Sequence, residues 1–227
     1  MVFSINSAES DKNIRSCILL CGGMSRRMGK DKGSLIISEK PMIIHVLETL
    51  NHRIDELVIV LNDSDRIAKY RNIIQTFISG SVSYSIKFVE DEIKDKGPIS
   101  GIATGLKYIR SNYALIIPCD SPYIDNTFIS EMFNKNKSFQ EQLNNIEAIV
   151  PYYKSLSTEK NKTDYSEPLH AIYKKNSLYL INKLIDKNIL DLKSLLKELN
   201  TYFIDIEDNF NKDTFKNLNK VEDLSED

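Results

Sequence analysis

The sequence predicts an α/β protein: a three-layer α/β/α sandwich around a mostly parallel, Rossmann-like sheet. Three observations carry that expectation. Apolar runs of strand length recur along the chain, and most are continuously Ile/Val/Leu-rich, as befits strands covered on both faces. Segments with helical spacing separate the early runs, and alternating strands and helices build a parallel sheet through right-handed crossovers. With 227 residues and 41% apolar content, the chain has material for one large α/β core.

The elements follow in order. A first strand is expected over 16–21 (SCILLC). After a glycine-rich loop, a helix over 41–51 opens on Pro41, whose fixed φ suits a first turn, and sets Ile44, Leu47 and Leu50 on one side. Strands are expected over 56–61 and 84–90, and a helix over 98–111 follows the Gly97-Pro98 break. The run 113–118 reads as a strand, and 126–136 as a helix capped by Asn126. Residues 135–147 and 154–166 are polar and read as surface loops. Strands over 147–153, 168–174 and 201–206, amphipathic helices over 175–188 and 191–200, and a terminal helix near 220–226 complete the chain. Residues 1–13 are polar and read as a flexible tail, with 14–227 as a single domain. No internal repeat is visible.

Composition excludes several functions. Thirty basic residues against 32 acidic ones leave a formal charge of −2, so no global field draws the chain to nucleic acid or to an anionic membrane. Any phosphate affinity must be local. Three cysteines fit a reducing compartment better than a disulfide framework, which suggests the cytoplasm. No leader-type apolar segment opens the chain, and no run is long enough to span a membrane.

The loop after the first strand concentrates glycine and positive charge: LLCGGMSRRMGKDKG, residues 19–33. In parallel α/β sheets ligands bind beyond the carboxyl ends of the strands, where loop N–H groups can hold phosphate oxygens. Gly22 and Gly23 would let that backbone approach closely. The loop is not a P-loop, because Met24 stands where the first glycine is required and Asp31, not a hydroxyl, follows Lys30; the G-x-G-x-x-G fingerprint is absent as well. By residue type alone, a solvated basic connector stays open beside a phosphate site. Asp120 ends the strand 113–118 in Pro118-Cys119-Asp120, either as a metal-binding carboxylate or as the cap of the next turn. Asn62 and Asp91 also follow strands, where turn chemistry is the ordinary reading. His170 lies in a predicted strand and reads as a structural histidine. Cys119 reads as a small buried residue, since Cys17 and Cys21 show no zinc-type spacing with it.

The complete spacing is more specific than its parts. Residues 19–33 resemble the L-A-G-G-x-S-x-R-M-G-x-D-K signature of nucleotidyltransferases, and most closely that of the molybdenum cofactor guanylyltransferase family (MobA-like nucleotidyltransferases). The resemblance continues in order through GPISGIATGL (97–106), PCDSPYI (118–124), EPLHAIY (167–173) and FKNLNKVEDL (215–224). Two departures from the pattern stand out: Cys21 replaces alanine, and Lys220-Val221 replaces Thr-Pro.

The resemblance implies a sheet of the nucleotide-diphospho-sugar transferase type, with a nucleotide-binding half over about 14–125 and an acceptor-binding half over about 126–227. It implies transfer of GMP from GTP to Mo-molybdopterin, giving the guanine dinucleotide form of the cofactor and pyrophosphate, with Mg²⁺. Leu20, Cys21, Gly22, Gly23, Arg27, Lys32, Asn62, Asp91 and Asp120 would bind the nucleotide, with Asp91 near the guanosine. Arg27, Lys32 and Asp120 would carry catalysis, Asp120 as metal ligand, while Arg26 and Lys30 read as exposed. A bidentate Arg27 and a point-charge Lys32 suit oxygens whose negative charge grows during transfer. Asn217 and Asn219 would meet the acceptor, or else cap a helix at VEDL. The implied partners are GTP and Mo-molybdopterin, with transient cofactor-delivery or acceptor-enzyme proteins, no nucleic acid and no membrane. Three alternatives stay open: CTP in place of GTP, a sugar phosphate or other cofactor precursor as acceptor, or a nucleotide-binding protein without turnover.

Overall fold

Strands that are apolar at every position need cover on both faces, and the computed structural model provides it. It describes residues 14–22, 31–78, 80, 82–142 and 144–216. The expected tail over 1–13, the loop residues Gly23, Arg26, Arg27 and Lys30, the acceptor residues Asn217 and Asn219, and the terminal helix near 220–226 lie outside the described residues.

The strands are β1 (Ser16–Leu20), β2 (Ile36–Ile37), β3 (Lys40–Pro41), β4 (Glu56–Leu61), β5 (Ser85–Glu90), β6 (Tyr113–Pro118), β7 (Ala148–Tyr152), β8 (Ile172–Lys174) and β9 (Thr201–Asp205). The helices are α1 (Met42–Leu50), α2 (Ser64–Phe77), α3 (Pro98–Tyr108), α4 (Asn126–Glu141), α5 (Leu178–Asp186), α6 (Leu192–Glu198) and α7 (Ile206–Asn209). Seven strands form one sheet in the order β5-β4-β1-β6-β8-β7-β9, while β2 and β3 make a separate antiparallel pair. β5, β4, β1 and β6 run parallel. β8 runs antiparallel to β6 and to β7, and β7 is parallel to β9. The sheet is thus mostly parallel, with β8 as its reversed strand.

Side-chain alternation along each strand feeds two cores. Cys17 and Leu19 of β1 join Leu57, Ile59 and Leu61 of β4 and Leu115 and Ile117 of β6 under α1, α2 and α4. Ile18 and Leu20 join Val58, Val60, Ala114 and Ile116 under α3, α5 and α6. Each fully buried aliphatic side chain contributes about 1.5–3 kcal/mol relative to exposure. α3 lies so close to β1 that a Cβ on Gly105 would stand 2.5 Å from Ile18 Cγ2, so glycine sets that separation.

Several local expectations need correction. The segment between β4 and β5 forms α2, which the apolar pattern did not predict: Tyr70 is its one fully buried residue, and Asp63 caps it by accepting from Arg66 N. The cap of α4 is Asp125, which accepts from Phe128 N, and not Asn126; the helix runs on to Glu141, so 135–141 is helix rather than loop. The strand expected over 168–174 shortens to β8 because His170 N donates to the Glu167 carbonyl at 3.0 Å, closing a turn. His170 therefore sits in that turn and not in a strand.

Beneath the sheet's amino end, Glu56 is buried at 5% exposure. It accepts from Ser16 Oγ at 2.5 Å, Arg110 N at 2.7 Å and Arg110 Nε at 2.8 Å. Desolvation pushes its carboxyl up, but those donors together outweigh it and hold the group below the usual carboxylate range. A depressed folded-state value adds stability that is complete above the unfolded value, roughly pH 4.3, and is lost as pH falls through the folded one. Glu56→Gln is expected to cost about 1–3 kcal/mol at pH 7 and to flatten the decline in melting temperature below that pH. Melting curves from pH 3 to 7 check this, and an unchanged acid slope would refute it.

Candidate nucleotide site

The carboxyl ends of β5, β4, β1 and β6 open on one rim, and the sheet's direction of growth reverses between β1 and β6. Such a switch point leaves a crevice beyond the strand ends. Gly22 and Asp120 stand at its two sides, following β1 and β6.

At the end of β1, Leu20 and Cys21 turn their side chains into the two cores. Leu20 O accepts from Cys119 N at 3.0 Å, and Cys21 N donates to Val60 O at 2.9 Å, so the ladder holds β1, β4 and β6 together up to the rim. Burial pushes the Cys21 thiol up, with the adjacent Cys119 adding to the shift, which keeps it neutral. Both side chains are packed in the cores, Leu20 at 8% and Cys21 at 2% exposure. Gly22 meets Asn62: a Cβ there would stand 2.5 Å from Asn62 Oδ1. Glycine lets the Asn62 side chain lie close against the backbone at Gly22.

Lys32 begins a short 3₁₀ turn, Lys32–Ser34, and its Nζ donates to Asp120 Oδ2 at 2.9 Å. The two side chains are 24% and 17% exposed, so each is partly shielded yet open to the crevice. α2, which sequence reasoning missed, secures the exit of the loop. Tyr70 Oη donates to Asp31 Oδ1 at 2.5 Å, and Lys69 Nζ donates to Asp31 Oδ2 at 3.1 Å and to Ser34 Oγ at 2.8 Å. Asp31 and Ser34, which bracket Lys32 and Gly33, are thereby anchored, and the Lys32 side chain reaches Asp120. The available signal was a capping Asp63 followed by Ile67, Tyr70, Ile74 and Phe77 at helical spacing among polar residues.

Asp91 follows β5, and its carboxylate accepts from Ser100 Oγ at 2.8 Å and Thr104 Oγ1 at 2.9 Å. It ties the strand end to the first turns of α3, which explains the two hydroxyls in GPISGIATGL. Lys94 donates to the Asn62 carbonyl and to Glu90 Oε1, closing the β4 and β5 ends together. Sequence reasoning missed Lys94, because its partner Asn62 lies at the end of a neighbouring strand.

On the other side of Asp120, Ser121 is fully buried and shares a 2.8 Å hydrogen bond with His170 Nε2. The chain also returns here near its carboxyl end. Thr214 Oγ1 donates to Asp125 Oδ2 at 2.8 Å, and Phe215 packs edge-on against Phe128 and His170, with ring centroids 5.4 Å from each. Among the predicted site residues, the structure brings Gly22 and Asn62 together and pairs Lys32 with Asp120. It places Asp91 further along the rim and turns the Leu20 and Cys21 side chains inward.

A switch point with a close-approaching glycine after one strand and a lysine–aspartate pair at the end of its neighbour is the arrangement of an α/β nucleotide-binding protein. Comparison with known proteins narrows the class. The family model described as the MobA-like NTP transferase domain matches residues 17–201. The chain is similar to a probable molybdenum cofactor guanylyltransferase of Methanothermobacter thermautotrophicus, at 31% identity over 92% of this chain and 96% of that one. It is similar as well to a molybdenum cofactor guanylyltransferase of Aliivibrio fischeri, at 30% identity over 93% and 94%. In fold it is like the molybdopterin-guanine dinucleotide biosynthesis protein A of Archaeoglobus fulgidus, with a TM-score of 0.70 at 22% identity, covering 92% and 94% of the two chains. The chain belongs to the MobA-like NTP transferase family.

Proposed function

We propose that this chain transfers GMP from GTP to Mo-molybdopterin, forming the guanine dinucleotide form of the cofactor and releasing pyrophosphate. The observation that carries the reading is the Lys32–Asp120 pair at the switch point, 2.9 Å apart, in a family of NTP transferases. The names of the relatives supply guanine and the molybdenum cofactor.

An oxygen of the acceptor's terminal phosphate attacks the α-phosphorus of GTP; the bond to the β-phosphate breaks, and pyrophosphate leaves with that electron pair. The nucleophile is already an anion, so the protein needs no strong base. What it must supply is alignment and charge neutralisation. Lys32 would place its ammonium against the triphosphate, and Gly22 and Gly23 would offer backbone N–H groups, with Arg27 as a second cation. Asn62 would lie on the nucleotide side, and Asp91, through Ser100 and Thr104, would order the part of the rim that meets the guanosine.

The residues fit Mg²⁺. Among the described residues no three His, Cys, Asp or Glu side chains gather to hold a metal unaided. One carboxylate, Asp120, faces the crevice, which is the donor set of an ion that completes its shell with substrate phosphates and water. When bound, Mg²⁺ would neutralise and orient phosphate oxygens. Asp120 would hold it, and Lys32 would keep Asp120 compensated beforehand.

The acceptor would lie over the half of the chain from about 126, with Asn217 and Asn219 as its amide contacts. In support, Thr214 and Phe215 fasten the chain beside Asp125 and Phe128 directly before those residues. We place the protein in the cytoplasm: Cys17, Cys21 and Cys119 are all free, and no described helix is long and apolar enough to cross a membrane. Transient contact with cofactor-delivery or acceptor-enzyme proteins belongs to the same proposal.

Melting temperature in the presence of GTP, ATP, CTP or UTP, with and without Mg²⁺, tests the nucleotide. Stabilisation is expected with Mg²⁺ and GTP alone, reaching about 2.7 kcal/mol at a hundredfold excess over Kd. A preference for CTP would overturn the named product, and no response to any nucleotide would overturn the site.

A further inference from the structure

The turn that carries Asp120 is backed by the Ser121–His170 pair, with Glu167 beside it, and none of the three has a part in the proposed transfer. Ser121 and His170 are both fully buried, and their Oγ and Nε2 atoms lie 2.8 Å apart. The His170 ring is held edge-on by Phe215 at 5.4 Å and Phe128 at 6.3 Å. Its other nitrogen, Nδ1, is buried with no hydrogen-bond partner among the described residues, and Glu167 Oε2 stands 3.7 Å from it. A carboxylate on that side favours the tautomer protonated at Nδ1, so Nε2 accepts the Ser121 hydroxyl proton.

The order Glu–His–Ser is that of a hydrolase triad, but Ser121 has no exposed surface for a substrate to reach. A buried chain of this kind can only orient its neighbours, and the neighbour that faces the crevice is Asp120. Its far end is anchored in the acceptor half, in the turn before β8 and against Phe215 next to the acceptor segment.

Resting on the proposed role of Asp120, we infer that Ser121 and His170 are positioning residues that fix the Asp120 carboxylate for the metal–nucleotide complex. Loss of an outer partner of a metal ligand typically weakens metal affinity or activity roughly 10–100-fold. Ser121→Ala removes one oxygen, and His170→Phe keeps a ring while removing the nitrogen. Each is expected to raise the Mg²⁺ concentration for half-maximal transfer about tenfold and to weaken calorimetric binding of Mg²⁺ with GTP by the same factor. GTP binding without metal should not change. His170→Gln, whose amide reaches the place of Nε2, should recover most of the loss, and the Ser121→Ala/His170→Phe double variant should be no worse than either single one.

If the variants melt earlier but keep the Mg²⁺ dependence of the parent, the pair is mere packing and the inference fails. If His170→Phe does not fold, Ser121→Ala and His170→Gln still decide it. Asp120→Asn separates the two levels: should it leave Mg²⁺-dependent GTP binding intact, the metal role of Asp120 falls and the brace falls with it. Should it abolish that binding while Ser121→Ala does nothing, the inference alone fails.

Discussion

Asp120→Asn is expected to fold, to melt close to the parent, and to lose nucleotidyl transfer by on the order of 10³-fold or more. The substitution keeps the volume and one carbonyl oxygen but removes the charge. That charge lies just past the end of a strand buried on both faces, yet the side chain itself is 17% exposed and opens on the crevice, where an amide is readily solvated. The ion pair with Lys32 disappears, and its contribution to stability is small, because a partly solvated pair gains little over water. What changes is the ability to hold a divalent cation against phosphate, worth several kcal/mol in the transition state. Each 1.36 kcal/mol is tenfold in rate, so about 4 kcal/mol gives the expected loss. Initial rates at saturating GTP and acceptor, with melting curves as control, check it; turnover near that of the parent would remove Asp120 from the chemistry.

Lys32→Ala is expected to lower kcat/KM for GTP about 10²–10³-fold, by removing a cation from oxygens that gain charge as pyrophosphate leaves. Its signature should differ from that of Asp120→Asn. The ammonium competes with a metal for the same carboxylate, with Nζ 2.9 Å from Oδ2, so its removal should not weaken Mg²⁺ binding while it weakens that of the triphosphate. Steady-state kinetics across GTP concentrations, paired with calorimetric Mg²⁺ titration, check both halves. Equal loss of metal and nucleotide affinity would mean that Lys32 acts by shaping the site and not by its charge. Because the neighbouring Asp31 and Ser34 are tied to α2, the truncation should leave the loop exit in place.

How much of this was legible in the sequence differs by element. β4 and β6 fall on their expected bounds, 56–61 and 113–118. A strand roofed on both faces reads as a near-continuous apolar run, and the runs LVIVL and ALIIP mark these two plainly. α2 escaped notice for the opposite reason: it buries one residue fully and meets water along most of its length, so its apolar signal is weak. PLHAIYK reads as a strand because most of its residues are apolar, yet the His170–Glu167 hydrogen bond bends its first half into a turn.

The sequence by itself determined the alternation that yields a mostly parallel sheet, the rim residues at the strand ends, and the family pattern that gives them a chemistry. These are local properties, written in runs and spacings of neighbouring residues. Tertiary structure alone decided which of those residues meet. Lys32 and Asp120 are 88 positions apart, Ser121 and His170 are 49, and Tyr70 and Asp31 are 39. No periodicity records such pairs, since each depends on where the sheet order places two strand ends and on how closely a helix can lie against them.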